Sequence, residues 1–531
     1  MKKILGIACL CAVVATATAK PAYRGPITRV AEDGTEQIVY LHGNEYFHYM
    51  TNAQGEWLDE NTLKPMSEEM KQVRQAAGEA RLNAANAKQA ERFRKQMVTG
   101  LDPLLSPRGA VILVSYKDLA FESSHEDMVQ WAMGETYTYN GATGSIHQYF
   151  HDQSWGAYDL QIDVYGPVKV SKNMAYYGKD SGGEGYDQHP DELVKEACIL
   201  AHDSLGADFS NYDFDGDGKV DWVVILYAGY GQASGASANT IWPHQYELSE
   251  TNMAFKLDGK TVDHYCMLNE KEYTTKKRDG IGTFCHEFSH VMGLPDFYIT
   301  DYGSSHRTLA DWDVMDYGPY NNGGNTPPNY SAYERWFMGW ITPTLINDSA
   351  TVTMPALTEC RTAVLLTDSG VNVPNVHNPN PKKFYLLENR QQEGWDKYLA
   401  GSGMMVTKVT WNKNKWENNT VNNTKSSMGV DMIEAKSNST DYGKATDLYP
   451  AGATSFTSVT KFHVTDIAMQ NGVVVFDVAG GGEEIILEYK GSEGIEDIQS
   501  ETGNTAVKRI ENGRVVILRD GKKYDILGNR L

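Results

Sequence analysis

Little in this chain can serve as a covalent staple or a membrane anchor. Only six of its 531 residues are cysteine, and two of them, Cys9 and Cys11, fall inside the first apolar run. The other four, Cys198, Cys266, Cys285 and Cys360, are far apart, which excludes a disulfide-dense scaffold and favours small buried thiols. Basic charge is also scarce. With 48 Lys and Arg against 69 Asp and Glu, the formal net charge is −21, and nucleic acid is excluded as a partner because phosphates need a basic face. Long apolar runs are missing too. The run Ile4 to Val14 falls short of the ~20 residues of a spanning helix and nothing later matches it, so no transmembrane anchor is expected.

What stands at the start is Met1-Lys2-Lys3, the apolar run, and then Ala17-Thr18-Ala19, the charged, apolar and small-residue pattern of an export signal. Residues 1–19 therefore read as a signal peptide. The mature chain is expected to begin at Lys20 and to be secreted, either extracellular or at a bacterial cell surface. Residues 20–105 read as a propeptide: short strand-like runs to Pro65, then one Ala-, Gln-, Glu- and Arg-rich helix from Ser67 to Met97. This block has no cysteine, so it cannot silence a metal centre with a thiolate. Residues 106–342 mix buried-strand runs such as Trp222 to Tyr227 with helical segments. Residues 343–479 turn to short alternating strands, as expected of a β-sandwich-like domain. Gly480-Gly481-Gly482 opens a linker and tail, 480–531, a candidate secretion-sorting segment.

The chemistry concentrates at His286-Glu287-Phe288-Ser289-His290. Histidines four apart share one helix face, where both imidazoles reach a single zinc ion. Glu287 beside the first histidine is then the general base that takes a proton from a zinc-activated water and passes it to the leaving amine. The run continues Val-Met-Gly293-Leu-Pro295-Asp296, completing HExxHxxGxxD. Gly293 permits a positive φ, Pro295 stops the helix resuming, and Asp296 offers a third ligand, with a helix-cap role as its plainer alternative. The rival third ligand is Glu334, in Tyr330-Ser-Ala-Tyr-Glu334-Arg-Trp. His244 and His264 stay outside the site, since a lone histidine is more often a packing residue.

Two further signals flank this run. Asp213-Phe-Asp215-Gly-Asp217-Gly218-Lys-Val-Asp221 carries acidic residues at alternate positions with a glycine at the turn, the pattern of a short calcium loop. Position twelve of an EF-hand would be Val224, so the full motif is not met. Downstream, Asp311 to Gly318 resembles the Met-turn of the metzincins, with Met315 as the hydrophobic floor under the metal. Tyr317, two residues on, is either an oxyanion-stabilising side chain or a packing tyrosine.

The residues Cys285 to Tyr298, Trp312 to Gly318, Pro328 to Trp340, Tyr385 to Gln391 and Asp447 to Pro450 resemble the immune inhibitor A-type secreted zinc metallopeptidases. The resemblance spans about Ser106 to Val478. It implies an α+β chain with a zincin-like metallopeptidase domain, an N-terminal prosegment, zinc on His286, His290 and Asp296, Glu287 as base, structural Ca2+, and protein or peptide substrates outside the cell. Ser289 stands where that pattern commonly has glycine. An adhesin built on the same scaffold would be free to lose Glu287, which this chain keeps. A zinc amidase acting on cell-wall peptides would need the same ligands.

Overall fold

Uninterrupted runs of β-branched and apolar residues need both faces covered, and that requirement organises the middle of the chain. The computed structural model describes residues 20–488 apart from 32, 45–46, 61, 79, 81–106, 181–186, 302–303, 371–372, 374 and 437–442, together with three short paired strands between 507 and 524. In the N-terminal block, β1 (Ile27–Val30), β2 (Glu36–Asn44), β3 (Phe47–Thr51) and β4 (Trp57–Leu58) form an antiparallel sheet. Its apolar face shares a small core with Ala233 and Trp242 from the next unit. The helix expected from Ser67 begins at 68; its distal part, with Arg92, Arg94 and Lys95, lies outside the described residues.

The central sheet contains β5 (Arg108–Ser115), β6 (Gln161–Lys169), β7 (Val223–Tyr230), β8 (His244–Glu247) and, after a small hairpin of β9 (Phe255–Leu257) and β10 (Lys260–Val262), β11 (His264–Lys271). The order is β6-β5-β7-β11-β8. The first four run parallel, and β8 pairs antiparallel with β11, for example His244 opposite Met267. Helices α1 (His125–Met133), α2 (Ile146–Gln153) and α3 (Pro190–Leu205) accompany the sheet. Pro190 at its first turn and Gly206 at φ 72° just past its end fix the limits of α3.

Helix α4 (Gly282–Val291) is buried along its whole length. Phe284 and Phe288, one turn apart, stack at 5.4 Å and pack against Trp222 and Phe150, so this apolar face turns the neighbouring face, with its histidines, toward the site. Residues 318–324 close over the start of α4. A Cβ at Gly282 would lie 2.1 Å from the Pro319 carbonyl oxygen, so only glycine admits that approach.

Beyond helix α5 (Ala332–Phe337) the chain turns to strands. One sheet holds β12 (Thr344–Leu345), β14 (Val364–Leu366), β15 (Lys383–Arg390), β16 (Gly403–Thr410) and β17 (Val430–Met432); the other holds β13 (Ala350–Met354), β18 (Val464–Gln470), β19 (Val473–Val478) and β20 (Glu483–Ile486). Strand β15 alternates between two cores: Phe384 and Leu386 face the unit built on the central sheet, while Tyr385 and Leu387 face the second sheet. Its last residue, Arg390, is buried and makes a two-pronged bond to Asp396 at 2.6 and 2.7 Å while donating to the Asn329 carbonyl. This ties the C-terminal sheets to the segment that leads into α5.

Candidate active site

The site is assembled from the end of α4 outward. The helix stops at His290 and Val291 because Gly293 takes φ 99°, donating to the His290 carbonyl, while Leu294 donates to the Ser289 carbonyl. This turn has two effects. It carries Asp296 back toward the histidines, and it presents the Leu294 carbonyl to His290 Nδ1 at 2.8 Å. His286 Nδ1 meets the Val314 carbonyl, also at 2.8 Å. With each Nδ1 proton committed to a carbonyl, both Nε2 atoms carry lone pairs and point inward, the arrangement that metal-ligating histidines require.

Three atoms converge. His286 Nε2 and His290 Nε2 are 3.3 Å apart, and each is 3.2 Å from Asp296 Oδ1. Ligands at about 2.0–2.1 Å from a tetrahedral zinc are separated by about 3.3 Å, so these residues fit the ion implied by the motif. Asp296 Oδ1 is buried and accepts no hydrogen bond. The other carboxylate oxygen, Oδ2, accepts from Asn419 Nδ2 at 2.5 Å, and Asn419 Oδ1 accepts the Asp296 backbone N–H at 2.7 Å. Burial lowers the His290 imidazole below its ordinary range, favouring the neutral ring.

Glu287 is fully buried beside this triad, and its Oε1 accepts the backbone N–H of Lys20 at 2.7 Å. The Lys20 carbonyl accepts from Trp242 Nε1 at 3.2 Å, and the Pro21 carbonyl accepts from the Tyr320 hydroxyl at 2.7 Å. Lys20 Nζ donates to Thr283 Oγ1 at 3.0 Å, lies 3.9 Å from Glu272 and sits 3.7 Å from the centroid of the Tyr320 ring. Arg24 covers the Tyr317 ring at 3.1 Å. The N-terminal segment thus lies across the groove in front of Glu287.

Met315 is buried in the segment whose Val314 carbonyl orients His286, and its own carbonyl accepts the Phe297 N–H, so this turn braces both arms of the ligand set. Tyr317 packs edge-on against Tyr298, whose ring centroid is 6.4 Å from that of His286. Ser289 donates to the Cys285 carbonyl and bonds the Tyr330 hydroxyl, anchoring α4 from behind. Glu334 forms a capping box with Ser331 at the start of α5 and does not join the ligand triangle. His244 is buried, donates or accepts between Trp242 and Tyr265, and is pushed down to about 4 by burial. The four cysteines described are all buried thiols.

In the acidic loop, Asp213, Asp215 and Asp221 bring carboxylate oxygens together, and Asp217 stands apart, accepting from the Lys219 N–H. Asp213 is already paired with Lys260 Nζ at 2.5 Å. A further group, His48, Glu60 and Asp180, meets where the N-terminal sheet docks, and it is tied to Gln232 and Arg74. Sequence reasoning missed Asn419, Trp242, Glu272, Thr283 and Tyr320. Asn419 lies 123 residues from the aspartate it grips, in an asparagine-rich stretch with no distinguishing pattern.

Part of this chain is similar to known metallopeptidases. Residues 112–341 match the catalytic domain of immune inhibitor A peptidase M6. Over 228 residues, 38% of this chain and 24% of the relative, it is 31% identical to the pre-pro-metalloprotease PrtV of Vibrio cholerae serotype O1. Over 217 residues, 36% of this chain and 31% of the relative, it is 31% identical to immune inhibitor A of Bacillus thuringiensis subsp. alesti. The matched region therefore spans about a quarter to a third of the length of these relatives.

Proposed function

We propose, from the match of residues 112–341 to the catalytic domain of immune inhibitor A peptidase M6, that the protein belongs to that family and is a secreted zinc-dependent endopeptidase acting on extracellular proteins. The observation that carries this reading is the triangle of His286 Nε2, His290 Nε2 and Asp296 Oδ1, with edges of 3.2–3.3 Å, beside the buried carboxylate of Glu287. Those three atoms would hold the ion. When bound, zinc would supply Lewis acidity toward water and toward a scissile carbonyl.

The remaining work falls to side chains. Glu287 takes a proton from the attacking water and returns it to the nitrogen that departs, because its Oε1 already faces a backbone nitrogen at 2.7 Å. Asn419 fixes Asp296 by both of its amide atoms, and the Val314 and Leu294 carbonyls fix the two imidazoles. Trp242 Nε1 and the Tyr320 hydroxyl orient the peptide through its carbonyl oxygens. Tyr317 is the oxyanion partner in this reading, reached once Arg24 leaves its ring. Residues 20–105 act as a prosegment; support comes from Lys20 and Pro21 occupying the groove that a substrate would use. A calcium ion on Asp213, Asp215 and Asp221, with Asp217 at the rim, belongs to the same proposal.

The test is cleavage of casein by the processed, zinc-loaded protein, with Glu287→Ala alongside and each with and without a chelator. Wild type is expected to cut, and the substitution to lower the rate by about 10²–10⁴-fold while zinc stays bound. If processed, zinc-loaded wild type leaves casein intact, the peptidase reading fails.

A further inference from the structure

A peptidase that has just cut its substrate holds, next to its general base, the new amine of the residue that followed the broken bond. Water adds its oxygen to the carbonyl carbon, the C–N bond breaks, and the proton carried by the base ends on that nitrogen. In this chain the nitrogen closest to that position is the Lys20 backbone nitrogen, 2.7 Å from Glu287 Oε1. Its carbonyl is held by Trp242 and the next one by Tyr320, so Lys20 and Pro21 lie as the leaving half of a cleaved peptide would lie.

The Lys20 side chain then marks the pocket for the residue after the scissile bond, and that pocket is built for a cation. Lys20 is 2% exposed. Its Nζ has Thr283 Oγ1 at 3.0 Å, Glu272 Oε2 at 3.9 Å and the Tyr320 ring face at 3.7 Å. The Thr283 hydroxyl donates to Asp279 Oδ2 at 3.0 Å, which leaves its lone pairs for the ammonium and puts a second carboxylate behind the first. Glu272 is 2% exposed, Asp279 4% and Thr283 2%, so the charge at the base of the pocket is screened from water. An apolar side chain here would remove the ammonium that faces Glu272 and Asp279 inside the pocket, and an acidic one would add a third carboxylate.

Resting on the peptidase reading above, we propose that Glu272, Asp279, Thr283 and Tyr320 form a specificity pocket that selects a substrate with lysine or arginine immediately after the cleaved bond. Lys20 is the chain's own occupant of that pocket.

Two measurements test this, one of which needs no catalysis. In the full zinc-loaded chain, amide hydrogen exchange over residues 22–24 should be about ten-fold faster in Lys20→Leu and in Glu272→Gln, while Lys20→Arg stays near wild type. With the processed enzyme, synthetic peptides differing only in the residue after the scissile bond should rank Lys and Arg above Leu and Glu by at least about ten-fold in kcat/KM, and Glu272→Gln should collapse the Lys to Leu ratio. Equal rates across the set, or a ratio that Glu272→Gln leaves intact, overturns the proposal. Selective exchange with no peptide cleaved overturns the peptidase reading and leaves a docking pocket for the N-terminal segment alone.

Discussion

Two motifs of the unit built on the central sheet look equally suited to a metal when read as spacing, and the fold treats their carboxylates in opposite ways. In the acidic loop the carboxylates bond the loop itself and one neighbouring lysine: Asp213 Oδ2 accepts from Gly218 and from Lys260 on β10, Asp215 Oδ1 from the Asp217 N–H, Asp217 Oδ1 from Lys219, and Asp221 Oδ2 from Phe214. In the His286 to Asp296 run, the hydrogen bonds involve atoms that face away from the centre: the two Nδ1 atoms donate to the Val314 and Leu294 carbonyls, and Asp296 Oδ2 accepts from Asn419. Asp296 Oδ1 and the two Nε2 atoms are left facing one another in a site that excludes water. Spacing tells which residues share a turn. Which atoms are left for a ligand depends on partners far along the chain, and that separates a preorganised centre from a turn whose oxygens are partly spoken for.

The largest test of this contrast removes a ligand. Asp296→Ala should weaken zinc, titrated against a chromophoric chelator, by more than the roughly 10–100-fold that loss of an outer partner costs, because two histidines alone leave the ion half-held. Should Asp296→Ala retain zinc while Glu334→Gln loses it, the assignment of the third ligand is wrong. Asn419→Ala should cost less, about 10–100-fold in zinc affinity, with all three ligands still present. An Asn419→Ala protein that binds zinc as tightly as wild type would show that Asp296 needs no clamp, and the contrast with the loop would lose its physical basis.

The turn that carries Asp296 back to the two histidines was legible because its geometry is local: Gly293 at positive φ, Pro295 and the four-residue spacing of the histidines act within a dozen residues. The buried strands were legible for the same reason, since runs such as Val223 to Tyr227 cannot face water. Asn419 and the Lys20 pocket were not. Asn419 reaches Asp296 across 123 residues and Lys20 reaches Glu287 across 267, and such pairings follow from how the sheets stack and not from any period in the sequence. In the loop Asp217 alternates with the other aspartates, and its carboxylate accepts the Lys219 N–H.

The smallest effect probes the loop through pH. Burial pushes the Asp221 carboxyl up to about 7, with Asp215, Asp213 and Asp217 adding to the shift. That lies above the unfolded value of about 3.9. Between the two values the folded chain holds a proton that the unfolded chain has lost, so this group's contribution to stability falls as pH rises toward 7. In chelator, Asp221→Asn should therefore melt close to wild type at pH 5 and about 2 °C above it at pH 8, where the wild-type carboxylate is buried among like charges. Added calcium should reverse the order at pH 8, since the ion favours the charged form that asparagine lacks. If calcium leaves both melting curves where they were, the loop is a self-bonded acidic turn, and its likeness to a metal site ends at the spacing.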